Sequence, residues 1–205
     1  MAEFLISTLI ISVLHALIPS HWMPLITIGK IFKWSHSKTL KYTFYLALAH
    51  CSSTILLGLI LGVAGHYFEE NIELFAELIA PLILVLMGIW FLIRHHKHKH
   101  FHLHLDESLS FASERKIMFT ILMTMFLSPC LEIEAVFVGA STHGWFLVVI
   151  VALVYFAVTT VGMLVWMRVA LKGIKRLNSH KIEHSAGLIS GIVLIATGII
   201  SYLVH

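Results

Sequence analysis

Three histidines, a cysteine and two glutamates stand within otherwise apolar stretches of this sequence, and their chemistry is that of metal ligands. Residues 15–22 read His-Ala-Leu-Ile-Pro-Ser-His-Trp, so His15 and His21 flank Pro19 six positions apart. On an unbroken helix the two would point about 240° apart, at 3.6 residues per turn. Proline removes a backbone donor and clashes with the preceding turn, so a break at Pro19 would let both imidazoles enter one cavity. Freed carbonyls and half-helix ends at such a break can themselves coordinate a cation. The stretch Ala49-His50-Cys51-Ser52-Ser53-Thr54 adds an imidazole and small hydroxyls. Ser128-Pro129-Cys130-Leu131-Glu132-Ile133-Glu134 adds a thiol and two carboxyls beside a second proline.

His15, His21, His50, Cys130 and Glu132 form the candidate metal set, with Ser52, Ser53 and Glu134 as accessory positions. Imidazole, thiolate and carboxylate together suit a borderline transition metal such as Ni²⁺, Co²⁺ or Zn²⁺, and suit Mg²⁺ or Ca²⁺ poorly. Other readings compete at single positions. Cys51 suits a small packing residue, and Ser52, Ser53 and Thr54 suit helix contacts in a membrane. His21 and Glu134 could lie at a membrane edge, and Glu132 could carry protons.

A second concentration of ligands lies between residues 94 and 104, where six of eleven residues are histidine: His95, His96, His98, His100, His102 and His104. Histidine-rich tracts bind metal through neutral imidazole. A solvated basic linker that attracts anionic headgroups is the plainer alternative.

The elements that must position these groups are apolar helices. Hydrophobic residues make up 59% of the 205-residue chain and charged residues 12%, about half the charged share of an ordinary soluble domain. Apolar runs near 3–29, 40–66, 72–94, 116–140, 144–170 and 185–204 are each long enough to cross a bilayer as a helix, which takes about 20 residues, and too long for barrel strands. All 14 lysines and arginines fall in three stretches: Lys30–Lys41, Arg94–Lys116 and Arg168–Lys181. The positive-inside rule places these stretches in the cytoplasm and both termini outside. The N-terminus lacks the basic start of a signal peptide, so the first run reads as a retained helix in a bacterial inner membrane.

Sliding the chain against itself by 110 residues superposes Pro19 on Pro129, Gly88 on Gly198, Glu73 on Glu183 and His95 on His205. Three helices per repeat invert the second half relative to the first, as in many secondary transporters. The expected fold is therefore all-α and integral to the membrane: six transmembrane helices as two inverted three-helix repeats. Residues 1–94 form the first repeat, 95–115 a cytoplasmic His-rich loop, and 116–205 the second repeat.

His15-Ala16 followed by His21, His50 with its hydroxyls, and the His-rich loop together resemble nickel/cobalt transporters of the NicO type, within the lysine-exporter superfamily. That resemblance implies transport of divalent nickel or cobalt, with His15, His21 and His50 as ligands. Many such relatives carry acidic residues between the two first-helix histidines. Here Ile18, Pro19 and Ser20 stand there, which leaves Glu132 or Glu134 to supply a carboxylate.

The resulting expectation is a transition-metal permease (Ni or Co, with Zn an option) working by alternating access, tilted toward efflux by the cytoplasmic loop. Its partners would be the bilayer, the metal ion and coupling protons; a homo-oligomer is compatible, and no nucleic acid or catalytic cofactor is expected. Three rivals share the fold or the ligands. Ser128-Pro129-Cys130 resembles the motif of membrane thiol-disulfide electron carriers of the CcdA/DsbD type, but position 20 holds Ser where a second cysteine would be needed. An exporter of another small solute leaves the His-rich loop without a role. A membrane metalloenzyme would need a positioned base, and the sequence has no His-Glu-x-x-His motif.

Overall fold

Ile18 precedes Pro19 and takes the extended conformation that a following proline imposes, with φ −63° and ψ 114°. Helix α1 (Ala2–Ala16) therefore stops just short of it. Pro19–His21 forms a single 3-10 turn, and a nine-residue helix α2 (Met23–Ile31) follows. Two longer helices come next, α3 (His36–Tyr67) and α4 (Ala80–His96). The second half runs in the same order: α5 (Glu114–Phe126), a 3-10 turn at Leu131–Ile133, the nine-residue α6 (Glu134–Thr142), then α7 (Trp145–Gly173) and α8 (Ser179–Val204). The computed structural model describes residues 1–67, 78–96, 114–127, 130–173 and 179–204. Among these there is no strand, and the described chain is all-helical.

The first and fourth apolar runs, expected near 3–29 and 116–140, are thus each two helices joined through a 3-10 turn. Ser128 and Pro129 lie outside the described residues, as do His98, His100, His102 and His104.

Stretches His36–Val63 of α3 and Trp145–Gly173 of α7 are long and apolar enough to cross a membrane. Their patterning is the reverse of a water-facing helix. Val149, Leu153, Val161 and Val165 are exposed along α7, while Tyr155, Thr159 and Thr160 are buried. On α1, Ile6, Leu9, Ile10 and Val13 face outward, and Ser7, Thr8, Ser12 and His15 face inward. The buried hydroxyls of α1 donate to carbonyls one turn back: Ser7 to Glu3 at 2.8 Å, Thr8 to Phe4 and Ser12 to Thr8 at 2.6 Å. Apolar burial then continues on either side of the polar layer, with Ile11, Ile133 and Val151 in one cluster and Leu25, Leu46 and Met167 in another.

At the Lys-rich end, Lys38 Nζ lies 2.6 Å from Glu114 Oε1 and the Tyr42 hydroxyl donates to the same oxygen at 3.2 Å, joining α3 to the start of α5. The Lys38 ammonium holds the Glu114 carboxyl below its ordinary value. That contribution to stability is present at neutral pH and is lost as the pH falls through the lowered value.

Helices α4 and α8 meet through glycine. A Cβ on Gly88 would lie 2.7 Å from the Gly191 carbonyl oxygen and 2.9 Å from the Ile195 nitrogen; one on Gly198 would lie 2.8 Å from both the Pro81 carbonyl oxygen and Val85 Cγ2. These contacts are reciprocal at the 110-residue spacing: Gly88 matches Gly198, Gly191 matches Pro81, and Ile195 matches Val85. Small residues allow such close backbone approach in apolar bundles. Overpacking typically costs about 1–3 kcal/mol. Gly88→Ala and Gly198→Ala should each lower the thermal unfolding midpoint in detergent, by comparable amounts. An unchanged midpoint in either would mean that the helices are less closely packed than described.

Candidate metal centre

At each break in the chain a backbone carbonyl orients an imidazole. Ile18 O, beside the break at Pro19, accepts from both the His21 backbone N–H at 3.2 Å and His21 Nδ1 at 3.3 Å. Met125 O, in the last turn of α5, accepts from His50 Nδ1 at 3.3 Å. The third imidazole has a side-chain acceptor instead: His15 Nδ1 lies 2.7 Å from Glu132 Oε2. The carbonyl beside Pro19 thus acts on a ligand rather than on an ion directly.

Carbonyl oxygens only accept, so His21 and His50 must carry their protons on Nδ1; with Glu132 Oε2 as the acceptor of its bond, His15 takes the same tautomer. All three Nε2 atoms then present lone pairs, and all three point to one place. His15 Nε2 lies 3.1 Å from His50 Nε2. Cys130 Sγ lies 3.3 Å from His50 Nε2 and 3.5 Å from His21 Nε2. The four ligand atoms all fall within 4.8 Å of one another. A tetrahedral zinc-type site with Zn–N near 2.0–2.1 Å and Zn–S near 2.3 Å has ligand–ligand edges of about 3.3–3.6 Å. The two sulfur–nitrogen contacts, 3.3 and 3.5 Å, lie close to those edges, and the His15–His50 contact at 3.1 Å is slightly shorter. Rings of His15 and His50 are nearly parallel, with centroids 5.3 Å apart and an interplanar angle of 7°.

The surroundings hold this arrangement tightly. His15 and His50 are each 1% exposed and Glu132 3%. The Thr54 hydroxyl donates to His50 O at 3.1 Å and accepts from the Cys130 backbone N–H at 3.2 Å, latching the loop before the Leu131–Ile133 turn onto α3. Tyr155 packs its ring against His15, centroids 6.0 Å apart. His50 stands at the middle of the 28-residue apolar stretch of α3, about 20 Å from either end at 1.5 Å per residue.

The structure therefore brings together His15, His21, His50, Cys130 and Glu132. Glu132 contacts His15 from behind and serves as a positioning carboxylate, the usual partner of a ligating imidazole. Accessory expectations fare differently. Ser52 is exposed and stands apart from the group. Ser53 is buried, but its hydroxyl donates to His50 O at 2.8 Å. Glu134 is 1% exposed, and neither carboxyl oxygen has a hydrogen-bond partner among the described residues. It lies against Gly58 on α3 rather than in the ligand group. His95 and His96 end α4, and their side chains, like the rest of the His-rich tract, lie outside what is described. Cys51 and Cys130 are both free thiols; Cys51 is buried in an apolar cluster.

Sequence reasoning missed Thr54 as a latch, and Met125 and Tyr155 altogether. Met125 acts through its backbone, which no side-chain pattern reveals; Tyr155 is one aromatic among many on an apolar helix.

Comparison with known proteins finds no matching family model, no matching curated protein and no matching solved structure.

A thiolate ligand has its own optical signature. Purified protein loaded with Co²⁺ should show a thiolate-to-metal charge-transfer band that is lost in Cys130→Ser and kept in Cys51→Ser. The His-rich tract contains no cysteine and cannot produce it. Acidification should weaken the band, because every ligand must be deprotonated to bind. A band that survives Cys130→Ser would remove the thiol from the site.

Proposed function

We propose that the protein is a membrane permease for a divalent transition metal, with Ni²⁺, Co²⁺ and Zn²⁺ as the candidate ions. The observation that carries this reading is the buried group of three inward-facing Nε2 lone pairs and one sulfur drawn from both halves of the chain. His15, His21 and His50 come from the first half, and Cys130, with Glu132 behind His15, from the second. A site assembled from two halves changes its coordination when the halves move apart, which is what alternating access requires. Imidazole with thiolate favours borderline metals over Mg²⁺ and Ca²⁺.

In this reading the chain crosses the bilayer six times as two inverted three-helix repeats. Support comes from the repeated order of helix, 3-10 turn, nine-residue helix and two long helices, and from the reciprocal glycine contacts. The outward apolar and inward polar faces of α1 and α7 suit lipid around the bundle. Metal enters the group by displacing protons and leaves when the histidines and Cys130 regain them. The His-rich tract, on the Lys- and Arg-rich side, would collect ions before export. The resemblance to NicO-type transporters agrees with this reading and carries less weight than the ligand geometry. Two free thiols, one of them turned into the imidazole group, give the electron-carrier alternative no added support.

Metal flux in proteoliposomes tests the proposal. Saturable uptake or release of Ni²⁺, Co²⁺ or Zn²⁺ is expected for the wild type. His15→Ala and His50→Ala should abolish it with expression and folding intact, and Glu132→Gln should weaken metal binding by about 10–100-fold. Normal flux in both histidine variants would eliminate the site as the transport pathway.

A further inference from the structure

At the Lys-rich end, residues that the metal site does not use form a second cavity. It has a volume of about 360 Å³ and lies where the C-terminal end of α2, the start of α3 and the last turn of α7 converge. Lys30, Lys33 and His36 line it, together with Trp34, Thr39 and the apolar Ile26 and Leu171. No carboxylate is among its described lining residues. Lys38, between His36 and Thr39 in the first turn of α3, is already engaged by Glu114, whereas Lys30 and Lys33 have no acidic partner among the described residues.

Lys33 stands where the backbone asks for glycine. Helix α2 ends with the Trp34 N–H donating to Gly29 O at 2.8 Å and the Lys33 N–H donating to Lys30 O at 3.2 Å. That double bond pattern is the Schellman ending, whose left-handed position is usually glycine. Lys33 occupies it with φ 50°, the one positive φ among the described non-glycine residues. A Cβ is disfavoured in this conformation, and strained residues of this kind cluster at ligand clamps. The ending by itself gives no reason for a side chain at this position, but the cavity does: the lysine chain lines it.

We propose that this cavity binds the phosphate headgroup of an anionic membrane phospholipid. Lys30, Lys33 and His36 supply the cationic and hydrogen-bonding contacts to the phosphate, and Ile26, Leu171 and Trp34 provide the apolar side against which the first acyl carbons lie. The location fits a headgroup: both long apolar stretches, His36–Val63 and Trp145–Gly173, end at this level. Basic pockets beside membrane helices on the positive side bind such headgroups, and Trp is favoured at the same interface. The proposal rests on reading α3 and α7 as membrane spans, which extraction of the full chain only by detergent would test separately.

The experiment is thermal unfolding of the full chain in a neutral detergent, titrated with phosphatidylglycerol, with phosphatidylcholine and with inorganic phosphate. Phosphatidylglycerol should raise the midpoint saturably, and phosphatidylcholine should not. Lys33→Gly should unfold no earlier than wild type without lipid, since glycine suits the left-handed position, yet bind phosphatidylglycerol roughly five-fold more weakly. Lys30→Gln combined with Lys33→Gly should lose most of the response, and Lys33→Arg should keep it. The Co²⁺ charge-transfer band should be unaltered in all three, so failure here and failure of the metal site are read independently. An equal response to phosphatidylcholine, or wild-type lipid binding by the double variant, would overturn the proposal. Full reproduction of the rise by inorganic phosphate would overturn the lipid source and leave a soluble anion as the ligand.

Discussion

Two imidazole nitrogens facing each other at 3.1 Å repel if both present lone pairs, and His15 and His50 are held in that relation by partners on their far sides. A proton or a metal cation between them turns the repulsion into attraction. Much else in the fold serves to keep those nitrogens inward. Beside the Pro19 break Ile18 O fixes His21, the end of α5 offers Met125 O to fix His50, and Glu132 fixes His15. Thr54 ties the Cys130 loop to the helix that carries His50. Several of these fasteners stand at or beside the 3-10 turns, so the centre depends on the irregularities of the helices as much as on their regular parts.

The same accounting explains why the centre can lie in so apolar a chain. A buried polar group without a partner is costly, and this structure supplies partners locally wherever it can. Ser7, Thr8 and Ser12 bond to the preceding turn of their own helix. Long-range bonding is left mainly to the imidazole, thiol and carboxyl groups, with the Thr54 and Tyr42 hydroxyls beside them. Glu134 departs from this pattern, since both of its oxygens lack hydrogen-bond partners among the described residues, as do the buried hydroxyls of Tyr155, Thr159, Thr160, Thr197 and Ser201. The metal group gives no account of it.

The ligand types and the role of proline were legible in the sequence because both express themselves within a few residues. Two histidines around Pro19 predict a break and a shared cavity, and the rings of His15 and His21 do lie 4.4 Å apart between centroids. Glycine at one constant spacing pointed to paired elements, and α4 and α8 meet at those glycines. Distances between His50 and Cys130 were not legible, because 80 residues separate them and only tertiary packing brings them to 3.3 Å. Nor could side-chain types show that Glu132 stands behind His15 while Glu134, two residues on, turns to Gly58. The intervening 3-10 turn at Leu131–Ile133 sets which carboxyl goes where, and turns of that size depend on context more than on propensity.

The reciprocal contacts of Gly88 and Gly198 have a mechanical meaning for any motion of the halves. Points on a twofold axis stay put when the two halves exchange shapes, and a contact that maps onto its own mirror in the sequence sits beside such an axis. If the protein is a permease that works by swapping the conformations of two repeats, the α4–α8 seam is its fulcrum. Displacement would then grow with distance from that seam. A larger residue in the seam would change the pivot itself, and so the setting of both halves, without replacing any metal-ligating side chain.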